Sequence, residues 1–110
     1  MIDENLRIVL KYCLDWFCNH GKPMRITSLL RPYGDGISRS TTHQEGRAAD
    51  ISILDLSEIE LKQFESDIVA RFGYLGAISK ETGHSKIIET KKHGTGPHAH
   101  IQVRPTRRKT

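Results

Sequence analysis

The sequence predicts one α+β domain in which an antiparallel or mixed sheet has helices packed on one side. The chain of 110 residues has the size of a single domain, residues 1–110, and contains no internal repeat or inter-domain linker. Two stretches carry apolar residues at the three- and four-residue spacing of a helix, and several shorter stretches have the composition of strands. Their order is helix, strand, strand, helix and then three strands, which is typical of an α+β fold.

Both predicted helices have sequence signals at their ends. The first covers residues 3–20, with Asp3 as a suitable N-cap and Gly21 as a suitable residue just beyond the C-terminus. The second begins at the capping box of residues 57–60 and ends at Gly73. These signals define where each helix should begin and end.

The predicted strands cover residues 24–30, 47–53, 74–79, 86–89 and 98–103. In the second of these strands Asp50 stands among apolar neighbours, so we expect it to lie near the core. A carboxylate in that position needs a partner such as a metal ion or an opposite charge.

The charge distribution says little about partners. The formal net charge is +4, and much of the basic excess falls in residues 104–110, which we expect to be a flexible basic tail. No helix-turn-helix or RNA-binding signature is present, so we expect no specific nucleic-acid partner. The N-terminus lacks the pattern of a signal peptide, and no apolar stretch reaches the roughly 20 residues that span a bilayer. We therefore expect a protein that is made in the cytoplasm and does not insert into a membrane. We also expect a monomer.

Histidines and an aspartate supply the donor atoms of a catalytic zinc site. His43 lies in a polar loop, Asp50 lies on a strand, and His98 and His100 are two residues apart on the last strand, where their side chains share a face. A catalytic zinc ion takes three protein ligands and keeps a fourth position for water. One histidine of the last strand can bind metal while the other approaches the substrate. The donor set suits zinc, although manganese and iron also accept it.

Residues 40–51 and 97–101 resemble the motifs of a known group of zinc proteins. The first segment is similar to the Ser-x-His-x-x-Gly-x-Ala-x-Asp motif of the bacterial D-Ala-D-Ala carboxypeptidases and L-Ala-D-Glu endopeptidases, with Thr41 at the serine position. Residues 43–51 of this first segment are also similar to the zinc-site segment of the hedgehog signalling domain. The second segment resembles the closing His-x-His strand of the group. The resemblance implies a hedgehog-like or DD-peptidase-like fold. The zinc ligands that it implies are His43, Asp50 and His100.

The general base is the point at which this chain departs from the group. Many members place an acidic residue three positions before the last zinc ligand, and hedgehog domains place a glutamate further upstream. The corresponding residues here are Pro97 and Gly94. We expect His98 to serve as the base, because a histidine can accept a proton near neutral pH. The other candidates are His93 and Glu89.

The resemblance implies a zinc peptidase that hydrolyses peptide bonds of bacterial cell-wall peptidoglycan, as a carboxypeptidase or an endopeptidase. Arg31 or Arg39 would correspond to the arginine that polarises the substrate carbonyl. Without a signal peptide, such an enzyme would reach the wall by release or delivery, as a phage or prophage endolysin does. The alternative is a catalytically inactive zinc-containing binding module of the same fold, which the missing acidic residue favours.

Overall fold

Two α-helices and six β-strands form the described part of the molecule. The structure, a computed structural model, describes residues 2–29, 46–78, 82–91 and 96–106. In chain order, the elements are α1 (Glu4–Asn19), β1 (Ile26–Ser28), β2 (Ala48–Ser52), α2 (Glu58–Phe72), a short 3-10 helix (Gly73–Leu75), β3 (Ala77–Ile78), β4 (Ser85–Lys86), β5 (Ile88–Lys91) and β6 (His98–Gln102).

The ends of the helices agree with the sequence signals. The Asp3 side chain caps α1 by accepting a hydrogen bond of 2.8 Å from the backbone N–H of Asn5. Gly21 follows α1 with a φ of +66°, a left-handed conformation that glycine adopts without steric cost. The capping box at the start of α2 is complete, and Gly73 is the C-cap. Both predicted helices are therefore confirmed.

The main sheet has four antiparallel strands in the order β1-β2-β6-β5. In the middle of the sheet β2 and β6 pair over five residues, with Asp50 directly opposite His100. On the other side of β6, Ile88 faces Ile101 and Glu89 faces His100. This register brings residues from three separate segments of the chain into one row across the sheet.

The two faces of this sheet have different environments. Alternate residues of β2 and β6 are fully buried in the hydrophobic core, among them Ala49, Ile51, Ala99 and Ile101. The buried faces of α1 and α2 complete that core, and their aromatic rings meet in it, with the Phe17 and Phe64 centroids 5.3 Å apart. The helices therefore pack on one side of an antiparallel sheet, as the sequence predicts.

The chain between α2 and β5 differs from the two predicted strands. Residues 73–75 form a 3-10 helix, and the strand predicted at 74–79 is reduced to the short β3 within the described residues. A second, two-stranded sheet pairs β3 with β4. The backbones of these segments approach closely at Gly76, where a Cβ atom would lie 2.7 Å from the backbone nitrogen of Ile87. The buried Ile87 side chain separates β4 from β5.

The C-terminal residues that the structure describes contact the rest of the domain. The backbone N–H of Arg104 donates to the carbonyl of Leu75, and the backbone N–H of Thr106 donates to the Asp3 carboxylate over 3.0 Å. Residues 107–110 of the predicted basic tail lie outside the described residues. The flexibility of that tail stays a prediction.

Two further properties of the described residues concern the cysteines and the length of the helices. Cys13 and Cys18 are free thiols, and burial raises the pKa of the Cys13 thiol to about 12, so Cys13 behaves as an apolar core residue. No helix within these residues is long and apolar enough to cross a membrane.

Candidate metal centre

Asp50 and His100 meet on the sheet face that points away from the helices. Side chains of a strand alternate between its faces, so the burial of Ala49 and Ile51 in the core directs Asp50 to the opposite face. The same alternation in β6 buries Ala99 and directs His100 to that face. Because the two residues are cross-strand partners, the pairing of β2 and β6 brings their side chains together.

The contact between these two side chains is short and largely shielded from water. The Nδ1 atom of His100 lies 2.8 Å from Oδ1 of Asp50, and the two side chains are 13% and 8% exposed, respectively. Among the described residues, Asp50 is the one buried charged residue. Removing a carboxylate from water costs several kcal/mol, so this carboxylate requires a positively charged or hydrogen-bonding partner.

A glutamine contacts the second ring nitrogen of the same histidine. The Nε2 atom of His100 lies 3.2 Å from Oε1 of Gln102, which is two residues further along β6 and on the same face. The side-chain N–H of Gln102 donates to the Lys86 carbonyl over 3.2 Å. Gln102 was not among the site residues predicted from the sequence. The His-x-His-x-Gln alternation of β6 was the available signal, because it places all three side chains on one face.

The structure places His98 on the same face, at the beginning of β6. It lies opposite Ser52 in β2 and Lys91 in β5, and it is partly buried. Its Nδ1 atom lies 3.0 Å from the Gly96 carbonyl oxygen. A carbonyl oxygen can only accept, so Nδ1 carries the hydrogen, and in the neutral ring Nε2 is the nitrogen that can accept a proton.

Glu89 belongs to the same cross-strand row. It lies directly opposite His100 on the side away from Asp50, and it is exposed. Directly paired residues of adjacent strands have Cβ atoms roughly 5 Å apart. The glutamate is thus beside the pair, but within the described residues no group of three or more His, Cys, Asp or Glu side chains is close enough to hold a metal ion. Glu89 therefore does not complete a three-ligand group with Asp50 and His100.

The remaining predicted site residues cannot be placed in this geometry. The third predicted ligand and three of the predicted catalytic residues lie outside the described residues: they are His43, Arg31, Arg39 and His93. Pro97 is described, and its carbonyl accepts a hydrogen bond of 3.3 Å from the backbone N–H of Ile53. It has no side chain that can accept a proton, so the position used by many zinc peptidases has no base here.

The chemistry of the two described donors is that of zinc ligands, and their present separation is that of a hydrogen bond. Ligand atoms that bind zinc at 2.0–2.1 Å with tetrahedral geometry lie about 3.3 Å apart. Nδ1 of His100 and Oδ1 of Asp50 are 2.8 Å apart, so a separation of about half an ångström would accommodate the ion. Imidazole nitrogen and carboxylate oxygen are donor types that zinc accepts.

Comparisons with known proteins do not assign this chain to a family. No protein-family model, curated protein or solved structure matches the chain. The resemblance to zinc peptidases therefore depends on the residues of the two motifs and stays a prediction.

Proposed function

We propose that this protein is a zinc-dependent peptidase that hydrolyses peptide bonds of bacterial cell-wall peptidoglycan. The observation that carries this proposal is the Asp50–His100 pair, in which a largely buried carboxylate and an imidazole nitrogen lie 2.8 Å apart on the sheet face opposite the helices. Both residues are ligand positions of the motifs that resemble the zinc peptidases. The contact between these two side chains across β2 and β6 supports the proposal.

In this proposal three side chains hold the metal and a fourth moves a proton. Asp50 and His100 provide two ligands from adjacent strands, and His43 provides the third. The chemistry that a zinc ion would supply at this site is that of a Lewis acid, which would activate water near neutral pH and polarise a carbonyl. His98 would accept a proton at Nε2, since its Nδ1 atom donates to the Gly96 carbonyl.

Arginine would stabilise the charge that develops on the substrate. In the motif resemblance, Arg31 or Arg39 occupies the place of the arginine that polarises the scissile carbonyl. A guanidinium group donates several hydrogen bonds in a fixed plane, which suits an oxyanion or a substrate carboxylate. The choice of peptidoglycan as substrate rests on this resemblance, as does delivery to the wall in the manner of a phage endolysin.

One observation favours a second candidate, a zinc-containing binding module without hydrolytic activity. The Pro97 carbonyl accepts a hydrogen bond from the backbone N–H of Ile53, just after β2, and the proline ring offers no proton acceptor where many zinc peptidases have an acidic residue. Catalysis then depends on His98, or on Glu89 beside His100.

Mass spectrometry of peptidoglycan fragments separates the two candidates. Purified peptidoglycan is incubated with the zinc-loaded protein, with the chelator-treated protein, and with the chelator-treated protein after zinc is restored. We expect new peptide fragments that disappear with the chelator and return with zinc, and their masses would identify the bond that is cut. Binding to peptidoglycan without any new fragment would contradict the peptidase and favour the module.

The matched variants for this experiment each replace one aspartate with alanine. Asp50→Ala removes a predicted ligand and should abolish fragment release. Asp55→Ala removes a surface carboxylate whose partner is Arg25, with Nη2 and Oδ2 3.6 Å apart, and should leave fragment release unchanged. Equal loss in both variants would show that the effect does not come from the metal site.

A further inference from the structure

We propose that Gln102 is a positioning residue that makes Nδ1, rather than Nε2, the metal-binding nitrogen of His100. This inference rests on the proposed zinc site, but it concerns a residue that the motif resemblance does not include. Its basis is a chain of two hydrogen bonds that runs from the Lys86 carbonyl through the Gln102 amide to the His100 ring.

The first bond fixes the orientation of the glutamine amide. A backbone carbonyl can only accept, so the group of Gln102 that lies 3.2 Å from the Lys86 oxygen must be the NH₂ group. The backbone of Gln102 is held beside the same segment as its side chain, because its N–H donates to the carbonyl of Ile87, the residue after Lys86, over 2.9 Å. A flipped amide would bring two carbonyl oxygens together and lose this bond.

The amide orientation then determines the tautomer of the histidine. With its NH₂ group directed at Lys86, Gln102 presents Oε1 to the Nε2 atom of His100 over 3.2 Å. Oxygen of an amide accepts but does not donate, so Nε2 must carry the hydrogen. In the neutral ring the lone pair is then on Nδ1, which faces Oδ1 of Asp50 at 2.8 Å.

That arrangement suits a metal ligand. A nitrogen lone pair and a carboxylate oxygen that face each other at this distance repel unless a cation, either a proton or a metal ion, lies between them. Histidine ligands in metalloproteins usually donate their second N–H to an acceptor that fixes the ring, and loss of that acceptor weakens metal binding about 10- to 100-fold. Gln102 is such an acceptor, and the Lys86 carbonyl holds it in place.

The test compares zinc binding and ring geometry in three glutamine variants. Gln102→Met keeps the length of the side chain but removes the acceptor, and Gln102→Glu restores an acceptor. Gln63→Met is the matched control, because Gln63 is exposed on α2 and its side chain donates to Asp67. Zinc dissociation constants come from competition with a chelating dye. Long-range ¹H–¹⁵N spectra of the zinc-loaded proteins show which nitrogen of His100 carries the hydrogen.

We expect wild-type His100 to bind zinc through Nδ1 with the hydrogen on Nε2. Gln102→Met should weaken zinc binding about 10- to 100-fold, whereas Gln63→Met should keep both the nitrogen assignment and tight binding. Gln102→Glu keeps an acceptor for the Nε2 hydrogen but loses the bond to the Lys86 carbonyl, so it should keep the nitrogen assignment. Coordination through Nε2 in the wild type would overturn the inference, as would unchanged affinity in a folded Gln102→Met protein. Absence of zinc binding by the wild type would instead overturn the proposed function itself, so the two failures are distinguishable.

Discussion

At the scale of the residue, the energetics of Asp50 indicate function more than stability. Burying a carboxylate costs several kcal/mol, and a hydrogen bond to a charged group returns about 1.5–3 kcal/mol. A buried pair of this kind is on average no more stabilising than two apolar side chains of the same volume. The Asp50–His100 pair is therefore not expected to stabilise the fold more than an apolar pair would, and the metal site that we propose would explain its presence.

The assignment of the base to His98 gives the first residue-level prediction. His98→Ala should retain zinc and lower the rate of peptide hydrolysis about 10²- to 10⁴-fold, the usual contribution of a general base. Retention is expected because the ring does not bind the metal in this proposal; its Nδ1 donates to the Gly96 carbonyl. Initial rates on peptidoglycan and zinc content, measured on the same sample, separate a lost base from a lost metal.

Two other variants make this prediction specific. His84→Ala removes an exposed histidine that lies just before β4, a strand of the second sheet. This variant should hydrolyse peptidoglycan at the wild-type rate. Glu89→Gln tests the competing base. A large loss in Glu89→Gln together with full activity in His98→Ala would assign the proton to Glu89, which lies directly opposite His100.

At the scale of the element, α2 depends on the capping box at its N-terminus. The Ser57 hydroxyl accepts from the backbone N–H of Glu60 over 3.1 Å, and the Glu60 carboxylate accepts from the backbone N–H of Ser57 over 2.9 Å. That backbone hydrogen bond is the largest cause of a lowered pKa at Glu60. Because its folded pKa is depressed, Glu60 stabilises the fold above its unfolded pKa, and this stabilisation is lost as the pH falls through the folded value.

Loss of the serine cap should destabilise the domain measurably. Ser57→Ala leaves the N–H of Glu60 without its side-chain acceptor and should lower the free energy of unfolding by about 1 kcal/mol. Ser66→Ala is the matched control, because Ser66 is exposed in the middle of α2, where alanine is the better helix former. Urea denaturation should show a lower midpoint for Ser57→Ala alone. Equal midpoints for the two variants would contradict the importance of the cap.

The sheet was predicted less completely than the helices, for a reason visible in particular residues. Helix ends are determined by neighbours in sequence, so Asp3, Ser57 and Gly73 were sufficient to locate them. The division into β3, β4 and β5 coincides with the close backbone approach of Gly76 to Ile87, eleven residues further along the chain and in another segment. Local patterns do not contain such contacts.

In the candidate site too, local sequence patterns predicted some residues, whereas contacts formed only in the folded chain were not predicted. Alternation along β2 and β6 was enough to expect Asp50 and His100 on the strands where they lie. The role of Gln102 depends on the Lys86 carbonyl, which β4 and β5 bring beside β6 only in the folded chain. The contribution of His43 stays a prediction, since that residue lies outside the described residues.

At the scale of the whole molecule, a bound metal ion should couple the site to the stability of the fold. Asp50 and His100 belong to strands that are 50 residues apart in sequence and pair at the centre of the main sheet. An ion that binds only the folded chain stabilises it, by about 2.7 kcal/mol when the free ion is at 100 times its dissociation constant.

Calorimetric titration of the metal-free protein with zinc tests the central claim most directly. We expect the wild type and His84→Ala to bind one zinc ion per chain, whereas Asp50→Ala and His100→Ala should lose that binding. One equivalent of zinc bound with wild-type affinity by His100→Ala would contradict the metal centre proposed here, and so would a wild type that binds no zinc.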